Sequence, residues 1–281
     1  MHKLLLLVIP VLLYSCSSKS QQQQQQQQQV ANKEYWDVYM AEYEKGTGSV
    51  TLNMGLINNV PIKDLPFVLI TGVTFNDCNS DGFPSKSEYN NLSQISDDVQ
   101  ALTSTLSKNN LVGTFTYQCE RLDYIYLNDT SNIREKLTAL YTTKYKGYKY
   151  YINIRHDYKW EGYLEFLYPN EEIREDMSNM QIIQQLLASG DDLSKARQVD
   201  HWVYFSSSKD RDNYEKSMLN NGFKVEEKKK LDDYDLPYSL QFSRTDFVDP
   251  QTINKITREL RTLASKLNGN YDGWETFVIK E

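Results

Sequence analysis

Residues 202–227 read WVYFSSSKDRDNYEKSMLNNGFKVEE, and the fold is decided here. Trp202-Val203-Tyr204-Phe205 joins aromatic and β-branched residues, which suit a pleated, half-buried strand. Asp210 to Asn220 has the composition of a helix, and Asn221-Gly222 supplies its stop. Phe223 to Glu227 then returns to a strand. Beyond this stretch, Tyr238 to Phe242 is a third strand. Asp249-Pro250 opens a second helix, because Asp249 can accept from free N–H groups of the first turn and Pro250 has no N–H to lose there. Ile253, Ile256, Leu260 and Leu263 share one face of that helix, Asn268-Gly269 ends it, and Trp274 to Ile279 is a final strand. The order is β-α-β-β-α-β.

The same order occurs upstream. Phe67-Val68-Leu69-Ile70-Thr71-Gly72-Val73 is an apolar strand. A helix from Ser87 to Ser107 carries Leu92, Ile95, Val99, Leu102 and Leu106 at three- and four-residue spacing. Gly113 to Cys119 and Leu122 to Leu127 are strands. Asn132 is placed to cap a helix with Ile133, Leu137 and Leu140, and Lys149 to Ile154 closes the set. A hairpin comes first, Trp36 to Met40 and Ser49 to Met54 about Gly46 and Gly48. A helical segment from Glu171 to Leu187 links the halves. The expected class is α+β: two tandem ferredoxin-like sandwiches, the first preceded by a β-hairpin. The expected domains are residues 34–170 and 171–281.

Ahead of them, Lys3 is followed by an apolar run from Leu4 to Leu13, then Tyr14-Ser15-Cys16. That run is too short to span a bilayer and reads as the apolar core of a signal peptide over residues 1–16. Leu13 to Cys16 resembles the lipobox of bacterial lipoproteins, which implies lipidation at Cys16 and a membrane as partner. Residues 17–33, with glutamine from Gln21 to Gln29, read as a disordered tether. The expected location is the cell envelope, lipid-anchored and facing the periplasm.

The net charge is −7 over 281 residues, which argues against nucleic acid as a partner. Lys228-Lys229-Lys230 sits among Glu226, Glu227, Asp232 and Asp233 and suits a solvated strand end. Apart from Cys16, the cysteines are Cys78 and Cys119. They are either a disulfide, which an oxidising compartment permits, or two separate buried thiols. His156 and His201 are the histidines beyond residue 16. There is no His-Glu-x-x-His, Gly-x-Ser-x-Gly, phosphate-binding glycine loop or Cys-x-x-Cys, so an enzyme is not the expectation, nor is a small-molecule cofactor.

Three constellations remain. In a ferredoxin-like sheet the first and third strands are antiparallel neighbours, so Asp200, His201, Arg244 and Asp246 are expected at one sheet edge. They form either a recognition site, with an acid–base pair as a variant, or a hydrogen-bonded corner. Asp272 and Trp274, in Tyr271-Asp272-Gly273-Trp274, serve either the core or a partner's docking. Asp77, Asn79, Asp81 and Glu88 fit a calcium-loop spacing, with Gly82 at the turn and a carbonyl from Phe83. Ser85 and Glu88 equally fit a capping box. No metal is expected in preference to the cap.

Gly190-Asp191-Asp192-Leu193, Val199-Asp200-His201-Trp202, Ser243-Arg244-Thr245-Asp246 and Tyr271-Asp272-Gly273-Trp274 resemble the ribonuclease E regulator B family over Glu171 to Glu281. The resemblance implies a ferredoxin-like fold and a cytoplasmic protein that binds and restrains an RNA-degrading enzyme. Trp36, Asp81-Gly82-Phe83-Pro84 and the segment from Tyr163 to Pro169 resemble an uncharacterised bacterial domain fused ahead of such regulators. Three functions follow as expectations: a membrane-anchored protein-binding or regulatory module, a hydrolase-type enzyme using His201 and Arg244, or control of ribonuclease E-type decay if the chain is not exported.

Overall fold

The structure is a computed structural model that describes residues 34–280. The signal peptide, lipobox at Cys16 and tether at 17–33 expected from the sequence all fall outside the described residues. The chain divides into two compact units, meeting between Tyr168 and Pro169.

The first unit holds β1 (Trp36–Tyr43), β2 (Gly46–Asn53), β3 (Phe67–Thr74), α1 (Lys86–Leu106), β4 (Asn109–Tyr117), β5 (Glu120–Leu127), α2 (Ile133–Lys144) and β6 (Lys149–His156). Its sheet order is β1-β2-β4-β5-β3-β6. Without the β1–β2 hairpin, that is the strand arrangement of a ferredoxin-like sandwich, with the hairpin extending the β4 edge. The helical spacing read from α1 buries Leu92, Ile95 and Val99 with Leu69, Val73, Ile125, Leu127, Leu137 and Tyr141.

The opposite face of this sheet is covered as well, by a segment whose role the sequence did not reveal. Gly162–Leu167 winds as a single π-helical stretch. Trp160, fully buried and left-handed at φ 61°, stacks on Tyr126 with ring centroids 3.8 Å apart. Left-handed backbone disfavours a bulky residue by about 1–3 kcal/mol. Asp157 offsets this by accepting from Glu161 N, Gly162 N and the Tyr126 hydroxyl at 2.6–2.9 Å. The burial of Trp160, Tyr163 and Leu167 adds about 1.5–3 kcal/mol each.

Two sequence expectations in this unit need correction. Asn132 stands at the α2 N-cap but is left-handed and makes no side-chain cap bond. The strand placed at Gly113 to Cys119 runs instead over Asn109–Tyr117, because Gln118 and Cys119 take positive φ as the two-residue turn into β5. Cys119 thereby reaches Cys78, and the two form a disulfide.

The second unit holds α3 (Glu171–Ala188), β7 (Arg197–Phe205), α4 (Ser208–Asn220), β8 (Lys224–Lys230), β9 (Tyr238–Asp246), α5 (Pro250–Lys266) and β10 (Gly269–Thr276). Its sheet order is β10-β7-β9-β8, again the ferredoxin-like order. Asp249 caps α5 by accepting from Thr252 N at 3.0 Å, as its position before Pro250 predicts. β7 begins five residues ahead of Trp202, and β10 five ahead of Trp274. Both extensions are polar or glycine-containing, so their composition concealed them; cross-strand pairing carries them.

Candidate interaction face of the second sheet

Burial along β7 alternates without a break. Arg197, Val199, His201, Val203 and Phe205 are buried, while Gln198 is exposed and Asp200, Trp202 and Tyr204 are half-buried. The strand period of two therefore sorts these side chains to opposite faces. The buried set meets the helices: Val203 and Phe205 join Tyr214 of α4 and Leu260 of α5, and Val199 joins Ile183 and Leu186 of α3. β3 and β5 of the first unit are buried on both faces. In the second unit one sheet face carries all three helices, and no helix among the described residues of the unit lies on the other, the bare face.

This alternation separates the residues that the sequence grouped. Arg244 lies opposite Val199, and Asp246 opposite Arg197, so both belong to the helix face with His201. Asp200 projects from the other side of the sheet. Arg244 Nε donates to Asp246 at 2.9 Å, its Nη1 donates to Asn221 O, and its guanidinium sits 4.0 Å from the Phe223 ring centroid. That is a hydrogen-bonded corner beside a cavity of about 100 Å³ lined by Met218, Phe223, Arg244 and Leu260.

His201 is 0% exposed and packed among Phe223, Phe242 and Tyr271. Its Nδ1 shares a 2.8 Å hydrogen bond with the Tyr271 hydroxyl, and its Nε2 has no partner. Burial, helped by the Arg244 charge, lowers its pKa to about 3. Burial likewise raises Tyr271 far above the usual phenol range. A fully buried, neutral imidazole bonded to a neutral phenol belongs to the core of the unit.

Trp274 is also core. It packs with Val199, Val248 and Ile253, and its Nε1 donates to Asn179 Oδ1 at 2.7 Å. Asn179 in turn donates to Asn254 and Thr257 at 2.9 Å. Asp272 occupies the β10 bulge and is exposed. A further buried pair went unrecognised in the sequence. Arg197 and Asp191 form an ion pair with both side chains 0% exposed. Asp191 also accepts from Ile279 N at 2.7 Å, and Arg197 donates to Asp192 O and Phe277 O. The pair fastens the chain end to the loop before β7. Two charged residue types, six apart and flanking Leu193, were the available signal.

The calcium spacing resolves as a helix start. Ser85 Oγ accepts from Glu88 N and donates to Asp77 Oδ2; Asp81 accepts from Phe83 N, and Asn79 donates to Pro84 O. Glu88 does not reach back to complete the capping box; it accepts from Asn91 instead. Among the described residues, no three His, Cys, Asp or Glu side chains gather closely enough to hold a metal ion.

The bare face is the part of the second unit's sheet that no helix of the unit covers. Its middle carries Trp202, Tyr204, Ser239 and Gln241, flanked by Asp200, Glu275 and the bulge residue Asp272. Ser243 Oγ donates to Glu226 at 2.7 Å. Tyr204 has its hydroxyl pKa raised by partial burial and by the nearby Asp272 carboxylate. Half-buried aromatic rings among polar groups suit recognition of another chain more than chemistry on a small molecule.

Comparison with known families agrees with the resemblances read from the sequence. Residues 176–276 match the family Regulator of ribonuclease activity B, and residues 34–168 match a Family of unknown function (DUF695). No curated protein matches the chain. The chain therefore joins a first unit similar to that family of unknown function to a second unit similar to the regulator of ribonuclease activity B family.

Proposed function

We propose that this chain is an exported, lipid-anchored binding module that regulates a protein partner through the bare face of its second sheet. The observation that carries the binding role is the alternation along β7. It buries His201 and leaves Asp200, Trp202 and Tyr204 uncovered by any helix of the unit. The family description, which names regulation of a ribonuclease, supports a regulatory role. Export and lipidation at Cys16 are supported by the apolar run from Leu4 to Leu13 and by the disulfide between Cys78 and Cys119, a bond favoured outside the cytoplasm. The hydrolase reading is set aside, since its histidine is sealed in the core.

A second reading follows from the family match: a cytoplasmic regulator of a ribonuclease. Fractionation with intact-mass analysis of wild type and Cys16→Ala separates the two. A lipid-sized mass on the wild type, absent from the variant together with membrane attachment, is the expected result. An unprocessed chain in the cytoplasm refutes export and leaves the ribonuclease reading first.

A further inference from the structure

The bare face is electrically uneven. On its β8 side the lysines have carboxylates at hand: Lys224 Nζ lies 3.1 Å from Glu226, and Lys229 Nζ 2.6 Å from Glu227. The β7–β10 side lacks this compensation. Glu275 stands directly opposite Asp200 in the register. Both project from the bare face, because their neighbours Trp274 and His201 are buried on the helix side. Asp200 accepts from uncharged amides, Gln198 Nε2 at 3.0 Å and Gln241 Nε2 at 3.4 Å. The Glu275 carboxylate has no hydrogen-bond or ion-pair partner among the described residues. Like charges directly opposite across two strands repel, and neither carboxylate has an ion-pair partner among the described residues.

Immediately beside this pair, Trp202 lies opposite Gly273. A Cβ built on Gly273 would meet nothing within 4 Å, so the space over that glycine is open. Tyr204 follows along β7, with Asp272 close by. A half-buried aromatic ring with open space over the glycine opposite it, next to two carboxylates that have no ion-pair partner among the described residues, combines the two attractions a lysine or arginine side chain responds to.

We propose that this half of the face receives a cationic side chain, carried on a basic segment of the protein partner and held against Trp202 between Asp200 and Glu275. The proposal rests on the docking reading above and names the chemistry of what docks.

The test uses the full chain in its membrane, with a photo-cross-linking amino acid at Thr245. That residue is exposed on the same face, opposite Gln198. The expected cross-link joins a partner segment rich in lysine or arginine. Its yield falls about tenfold in Asp200→Asn/Glu275→Gln and falls again when salt is raised to about 0.5 M. A cross-link to a segment without basic residues, undiminished in the double variant, overturns the cation proposal and leaves the docking face standing. No cross-link from Thr245 removes the docking face and this proposal with it. As a partner-free probe, an alternating Arg-Gly hexapeptide should shift the Trp202 indole N–H resonance in the wild type but not in the double variant. An Asp-Gly hexapeptide should leave that resonance in place. An unmoved Trp202 signal with the arginine peptide counts against the proposal.

Discussion

Replacing Cys78 and Cys119 together by alanine should destabilise the first unit by about 4 kcal/mol. The disulfide spans a sequence separation of 41 residues. In the chain-entropy description, closing a loop of that length removes about 13 cal/mol/K from the unfolded ensemble, or about 4 kcal/mol at 25 °C. The native geometry does not depend on the bond alone. Cys119 N donates to Gly82 O at 3.0 Å, and Phe75 N donates to Cys119 O at 2.8 Å, so both strands of the contact stay hydrogen-bonded without sulfur. The effect therefore falls mainly on the unfolded chain. With about 135 residues in the unit and about 2.1 cal/mol/K of unfolding entropy per residue, 4 kcal/mol corresponds to a Tm about 14 °C lower. Hydrogen exchange read peptide by peptide in rising urea would follow each unit separately. The segment from Pro169 onward contains no cysteine and serves as the internal control. Dithiothreitol on the wild type should reproduce the double variant. A loss below about 1 kcal/mol, or an equal loss in both units, would refute the reasoning.

Asp191→Ala should cost about 3–5 kcal/mol, because it leaves the Arg197 guanidinium buried without its anion; urea unfolding of the second unit checks this, and a smaller loss in Asp191→Leu/Arg197→Met is the companion expectation. Burial opposes the charge on Asp191, but the Arg197 guanidinium and the Ile279 N–H outweigh it and hold the pKa below the usual range. That contribution is present above the unfolded value of about 3.9 and is lost as pH falls through the lower folded value. His201, at about 3 when folded and about 6.5 when unfolded, should stay neutral above pH 4, and stability should fall as pH drops from about 7 towards 3; an imidazole resonance titrating near 6.5 would contradict its burial. Burial raises the Asp123 pKa, so its stability is fully present below about 3.9 and is lost as pH rises through the folded value. Asp123→Asn should accordingly raise the urea midpoint at pH 7 but not at pH 3. Trp274→Phe should cost about 1–3 kcal/mol by leaving Asn179 Oδ1 without its donor.

The sequence by itself determined the order of elements. Apolar residues at three- and four-residue spacing in α1 and α5, and the Asp249-Pro250 start, depend on local geometry that every helix shares, so they can be read without knowing what packs where. Twice the order β-α-β-β-α-β was enough to name a ferredoxin-like pair, and the sheet orders agree. The candidate site was legible as a list of residues but not as an arrangement. Asp200 and His201 are neighbours in the chain, yet one faces the bare side of the sheet and the other the core. That assignment rests on strand phase, and phase is fixed by register with β9 and β10, which involves residues some 40 to 75 positions away. The same distance hid the Asp191–Arg197 pair's role in holding Ile279, the partner of Trp274 on α3, and the aromatic cover that Trp160 lays over Tyr126. Local propensity follows from near neighbours along the chain; which side chains are buried, paired or left facing water is decided only when distant strands are brought into register.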